Sequence, residues 1–205
     1  MSTIDLKANG LPAHPERATQ EGRAKLVGFW LYMSAEAVLF ATFFGTFMTF
    51  RNSVNGGPTG AELFAIPMVL TATAILLVSS LTSVFAIMAM QRNQASKMRF
   101  WFAVTVLLGA SFLGLEVYEF VEYVHEGHTF TSSPFGSSFY TLVGFHGAHV
   151  LFGVLWISTL LLRNINRPID TYVAPKYYVA SLYWHFVDLV WVFIFTIVYL
   201  FGMVG

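Results

Sequence analysis

The chain has no cysteine. Disulfide frameworks, iron–sulfur clusters and cysteine-held zinc or haem are excluded with it. Charge is also scarce. Only 11% of the 205 residues are Asp, Glu, Lys or Arg, where globular chains carry about a quarter. The 11 basic and 11 acidic residues cancel, so there is no electrostatic footprint for a nucleic acid and none is expected as a partner. What fills the chain is apolar. Hydrophobic residues make up 56%, 21 of them Phe, and the mean hydropathy is +0.64. That is too much apolar surface for disorder. It points to an integral membrane protein.

Crossing about 30 Å of hydrocarbon takes about 20 mostly apolar residues in a helix. Five stretches are long enough: 26–50, 63–90, 100–121, 135–162 and 177–201. Runs such as 69–81 (VLTATAILLVSSL) do not alternate as barrel strands must. The expectation is an all-α bundle of five transmembrane helices forming a single membrane domain over 26–205, after a polar, poorly ordered tail over 1–25. The tail has no apolar core, so it does not read as a cleaved signal peptide. The five spans put ten of the 11 lysines and arginines on one side, leaving only Arg51 on the other. That places the N-terminus in the cytoplasm and the C-terminus outside. Trp30, Trp101, Tyr172 and Tyr177 read as interfacial anchors.

A charged side chain at mid-membrane costs at least about 2.5 kcal/mol, so each one needs a reason. Glu36 lies near the middle of the first span: either a proton-linked or partner-facing carboxyl, or a protonated acid bonded between helices. His185 and Asp188 are three residues apart and share a helix face. They read as a bonded pair, as glue between helices, or as a proton relay or metal site. His146 and His149 repeat that spacing, and Gly144 with Ala148 offers a small-residue step for close helix approach. Glu116, Glu119, Glu122 and His125 follow one another at three-residue spacing. A di-iron bundle needs two Glu-x-x-His steps and two further glutamates; one step suits an acidic helix end facing water or a partner better. Thr71, Thr73, Ser79, Ser80, Thr82 and Ser83 read as bonds to their own helix or a neighbour. Spacing alone yields no nucleophile with its base, no phosphate loop and no metal cluster.

Four motifs carry a family resemblance. Residues 181–191 (SLYWHFVDLVW), 145–150 (FHGAHV), 34–40 (SAEAVLF) and 115–120 (LEVYEF) resemble, in order, helices of subunit III of haem-copper respiratory oxidases. Glu36 falls on that family's membrane-buried glutamate. The resemblance implies an accessory subunit of a proton-pumping cytochrome c oxidase, a translocase of the aerobic respiratory chain. Such a chain has no catalytic residue, metal ligand or redox centre of its own. Haem and copper belong to the partner catalytic subunit I, in company with subunit II and a small subunit IV. The family's subunit stabilises the complex, holds phospholipid and sustains proton uptake. Glu36, Glu116, Glu119, His146, His149, His185 and Asp188 then have structural or proton-supporting roles, and Arg163 is the candidate for a lipid head group. Mitochondrial members have seven spans and this chain has five, which favours a bacterial plasma-membrane enzyme and requires another chain to complete the lipid cleft. Residues 174–180 (APKYYVA) resemble cytochrome c oxidases of Gram-positive bacteria. The alternatives are a quinol oxidase subunit III, a stand-alone haem-b carrier using His149 and His185, and a transporter working through Glu36 and Asp188.

Overall fold

The computed structural model describes residues 12–55 and 66–204. Five helices long and apolar enough to span a membrane make up nearly all of it. They are α1 (Gln20–Phe50), α2 (Ile66–Gln91), α3 (Ala95–His125), α4 (Pro134–Arg163) and α5 (Ala174–Ile194), the last running on as a π-helix (Phe195–Leu200). Helix α1 starts six residues before the expected 26, because Thr19 accepts a hydrogen bond from the Gly22 amide and caps it there. In the described part of the tail, Pro15–Arg17 form a 3₁₀ turn, and Arg17 donates to the Tyr178 hydroxyl at 3.1 Å. Residues 1–11 of the expected tail lie outside the described residues.

The turns follow from local chemistry. Asn93 takes a left-handed φ of 57°, and Gln94 N–H reaches back to the Ala89 carbonyl at 2.9 Å, closing α2 onto α3 in a tight hairpin. Gly127, with φ of 83°, does the same for α3: His128 N–H reaches the Tyr123 carbonyl at 2.9 Å. Ser133 caps α4, accepting from the Gly136 amide, with Pro134 in the first turn. Asp170 Oδ1 accepts from the amides of Tyr172 and Val173 just before α5. The Arg99 guanidinium donates to the carbonyls of Asn164 and Ile165 just past the end of α4.

Helices α2, α3, α4 and α5 close into a four-helix ring, and α1 lies outside it with α4 and α5 as its main neighbours. Half of the most apolar stretch of α5 is buried, against 22% of that of α1. The bundle is organised around α5. Trp184 fills the space left by two glycines, Gly109 of α3 and Gly153 of α4, and donates its indole N–H to Ser79 of α2 at 2.9 Å. Trp191 donates to Thr73 of α2 at 3.0 Å, and Ser83 bonds Ser181 at 2.8 Å. These are the helix-to-helix bonds expected of the α2 hydroxyls.

Two expectations fail here. Tyr177 is no interfacial anchor: it is fully buried, stacked on Phe102 and bonded to the Leu160 carbonyl. Gly144 and Ala148 are not the close-packing step: the nearest atom to a Cβ at Gly144 is 3.7 Å away, and Ala148 is exposed. The tight contacts fall on Gly109, Gly147 and Gly153 instead, because α4 turns that face to α3 and α5. The outside is apolar, with Leu31, Val38, Leu107 and Leu162 among its exposed side chains. Lipid or a partner, not water, is the solvent for such a surface.

Candidate functional site

The polar groups of the interior gather at three places. The first is the seam between α1 and α4. Glu36 Oε2 lies 3.2 Å from His149 Nε2, and both side chains are largely buried. The Nδ1 of His149 lies 2.9 Å from the Phe145 carbonyl. A carbonyl only accepts, so Nδ1 carries a proton. One further proton then sits between Nε2 and the carboxyl, and the pair is neutral overall wherever that proton resides. Phe40 and Phe145 pack on the imidazole with ring centroids 5.1 and 4.7 Å away, and Tyr183 donates to the His149 carbonyl at 3.0 Å. Tyr32, one turn before Glu36, also turns its hydroxyl to that carboxyl.

The second place is inside the ring. Glu119 accepts from Tyr123 at 2.5 Å and from Tyr199 at 3.1 Å. Glu116, one turn earlier, presses its carboxyl against Gly147, and its Oε1 has no partner. Both glutamates are buried, so the acidic end of α3 does not face water as expected. It splits: Glu122 and His125 face out, Glu116 and Glu119 face in. His146 is fully buried between Phe112 and Trp191, stacked on the indole at 5.2 Å, with both nitrogens unpartnered. The two α4 histidines therefore diverge, His149 to α1 and His146 into the ring.

The third place is the α2–α5 seam. His185 does not bond Asp188. Its Nδ1 lies 2.6 Å from the Ser80 hydroxyl of α2, and Asp188 Oδ1 is buried without a partner. His149 and His185 are thus engaged with different helices and not with each other. Among the described residues no group of three or more His, Asp or Glu is placed to hold a metal. Arg163 is the exposed last residue of α4.

The sequence reading missed Ser80 as a partner of His185, and it missed Tyr199. A hydroxyl one helix away from a histidine has no spacing signal. Tyr199 is brought to Glu119 by the wide π-helical turns of Phe195–Leu200, which no α-helical period describes.

Outside the membrane-spanning segments, His128 is packed against Phe135 and Tyr140 in the loop between α3 and α4, 1% exposed, with Nε2 unpartnered. Burial pushes its imidazole below the ordinary value of 6.5. The folded loop holds it neutral, while the unfolded chain takes up a proton below that value. Its contribution is therefore complete above about pH 6.5 and is lost as the pH falls through it. Amides of residues 126–133 are expected to be less protected against exchange at about pH 5 than at about pH 7, after correction for intrinsic rates, and His128→Phe is expected to abolish the difference. Equal protection at both pH values in the unmodified chain would contradict this.

Fold and site together define a multi-pass membrane protein, several of whose buried polar groups bond one another between helices. The family described as cytochrome c oxidase subunit III matches residues 7–203. The chain is 61% identical over 201 residues to cytochrome c oxidase subunit 3 of Bacillus sp. (strain PS3), covering 98% of this chain and 97% of that protein. It is 58% identical to the Bacillus subtilis (strain 168) protein of the same name, covering 97% and 96%. Against quinol oxidase subunit 3 of that strain the identity is 43%, over 93% of each. The chain belongs to the cytochrome c oxidase subunit III family.

Proposed function

We propose that this chain is the non-catalytic accessory subunit of a proton-pumping cytochrome c oxidase in a bacterial plasma membrane, N-terminus in the cytoplasm. The higher identity to cytochrome c oxidase subunits than to a quinol oxidase subunit supports the choice of electron donor. Haem and copper reside in the partner catalytic subunit, with subunit II and a small subunit IV completing the complex. This chain stabilises that partner, holds phospholipid and sustains proton uptake. Arg163, exposed at the cytoplasmic end of α4, pairs with a lipid phosphate. Another chain supplies the second wall of the lipid cleft.

The observation that supports the proton-supporting role is the Glu36–His149 contact, 3.2 Å between two helices near mid-membrane. Glutamine at 36 is nearly isosteric with the protonated acid and can donate to His149 Nε2. Glu36→Gln is therefore expected to leave the yield of assembled complex unchanged and to slow proton uptake or shorten the enzyme's working lifetime. A complex that falls apart would make the pair structural. The reading as a whole is tested by oxygen uptake in the complex that co-purifies with this chain in mild detergent, offered reduced cytochrome c or a quinol. Uptake with cytochrome c alone is expected. A preparation without a haem-bearing chain and without uptake would refute it.

A further inference from the structure

We propose that the face of α5 between α1 and α2, centred on His185, is the intramembrane docking surface for a transmembrane helix of the catalytic subunit that presents a neutral hydrogen-bonding side chain. The inference rests on the accessory-subunit reading above and names where that partner binds.

Among the described residues the face is open, because its two flanking helices do not close over it. Helix α1 packs on one side of α5 and α2 on the other, but α1 has α4 and α5, not α2, as its main neighbours. The α5 residues turned to α1 include Phe186 and Phe193, and those turned to α2 include Trp184 and Trp191. His185 and Val192 are seven residues apart and so share the sector between. Val192 and its neighbour Leu189 are 38% and 54% exposed. Beside them, Ala37 and Ala41 of α1 are small enough to leave an apolar recess of about 260 Å³ against Leu189 and Phe193. Small residues at such a place let a second helix come close.

What singles out a protein occupant is the polar group at the centre. His185 is only half-buried, and Ser80 is its one hydrogen-bond partner, on Nδ1. Nε2 is left without one, about half-way along a membrane-spanning helix. Hydrocarbon cannot satisfy it. Ser80 and Nδ1 share one hydrogen, so Nε2 keeps either a proton to give or a lone pair to fill. The complementary surface is a helix with a hydroxyl, amide or indole group at that depth. An acyl chain fills the recess but offers nothing to the imidazole.

This chain has no cysteine, so an introduced thiol is its one attachment point. Val192→Cys, in the assembled complex in its native membrane, would carry a thiol-linked photo-crosslinker; Leu107→Cys on the outer face of α3, 67% exposed, would serve as the comparison. The expected result is capture of the catalytic subunit from position 192 and not from 107. Capture of lipid alone from 192 in an intact complex, or equal capture of the catalytic subunit from both positions, overturns the proposal. Failure of any haem-bearing chain to co-purify sinks the accessory-subunit reading instead. The polar contact has its own readout. His185→Phe is expected to weaken retention of the partner about tenfold, the size of an interhelical hydrogen bond in a membrane, and His185→Gln to restore it. Unchanged retention in His185→Phe overturns the donor–acceptor contact.

Discussion

Trp184→Ala is expected to destabilise the chain by about 3–5 kcal/mol, the range for emptying a fully buried aromatic site. The indole touches three helices at once. It lies against Gly109 of α3 and Gly153 of α4, where a Cβ at either glycine would meet its ring, and it donates to Ser79 of α2. Alanine leaves a cavity where those glycines cannot follow, and it takes a partner from the fully buried Ser79 hydroxyl. Trp30, 59% exposed on α1, provides the comparison: its replacement by alanine is expected to change stability by no more than about 0.5 kcal/mol. Unfolding of the chain in mixed micelles with rising denaturing detergent, followed by helicity, separates the two. Coincident curves for the two variants would show that α5 is not the centre of the packing.

Gly147→Ala carries the next largest effect, at about 1–3 kcal/mol of overpacking. A Cβ there would sit 2.5 and 2.7 Å from the two Glu116 oxygens and 2.8 Å from the carboxyl carbon. All three are well inside van der Waals contact. Since Glu116 is buried, its carboxyl has nowhere open to retreat. The clash is specific, so Glu116→Ala in the same chain is expected to remove most of the added cost, a non-additivity of at least about 1 kcal/mol. Gly144→Ala, three residues away with 3.7 Å of clearance, is expected to be neutral or slightly stabilising, because alanine is the better helix former. The same detergent titration of the three variants and the double replacement reads both outcomes. Equal loss at 144 and 147 would argue for a general intolerance of α4.

The spans were legible because hydrocarbon imposes length and polarity on every residue in turn, and the helix ends came within a few residues of 26–50, 100–121, 135–162 and 177–201. The start expected at 63 lies outside the described residues. Partnerships were less legible. Glu36 and His149 are 113 positions apart, and no periodicity on α1 or α4 reports on the other. His185 and Asp188 share a helix face as their spacing requires, yet Ser80 of α2 takes the imidazole at 2.6 Å, a partner that no spacing along α5 reports. The inward turn of Glu116 and Glu119 was hidden for a different reason. The end of α3 looks like a solvated acidic terminus until Tyr199 and Gly147 are known to meet it. The family resemblance supplied the identity of the buried glutamate; its histidine partner is a finding of the fold.

The placement of α1 outside the ring has a consequence for biosynthesis. Of the five helices, α1 is made before the others, and its main packing partners, α4 and α5, are made last. Glu36 is synthesised 113 residues before His149. At about 5–20 residues per second that is an interval of roughly 6–20 s. During it the nascent helix carries an unmated acid in hydrocarbon, with only Tyr32, one turn earlier in the same helix, to turn a hydroxyl to it. Meanwhile the α2–α3 hairpin, joined by its tight turn at Asn93, can close on its own. Docking of α1 therefore waits on the arrival of α4 and α5, its main neighbours.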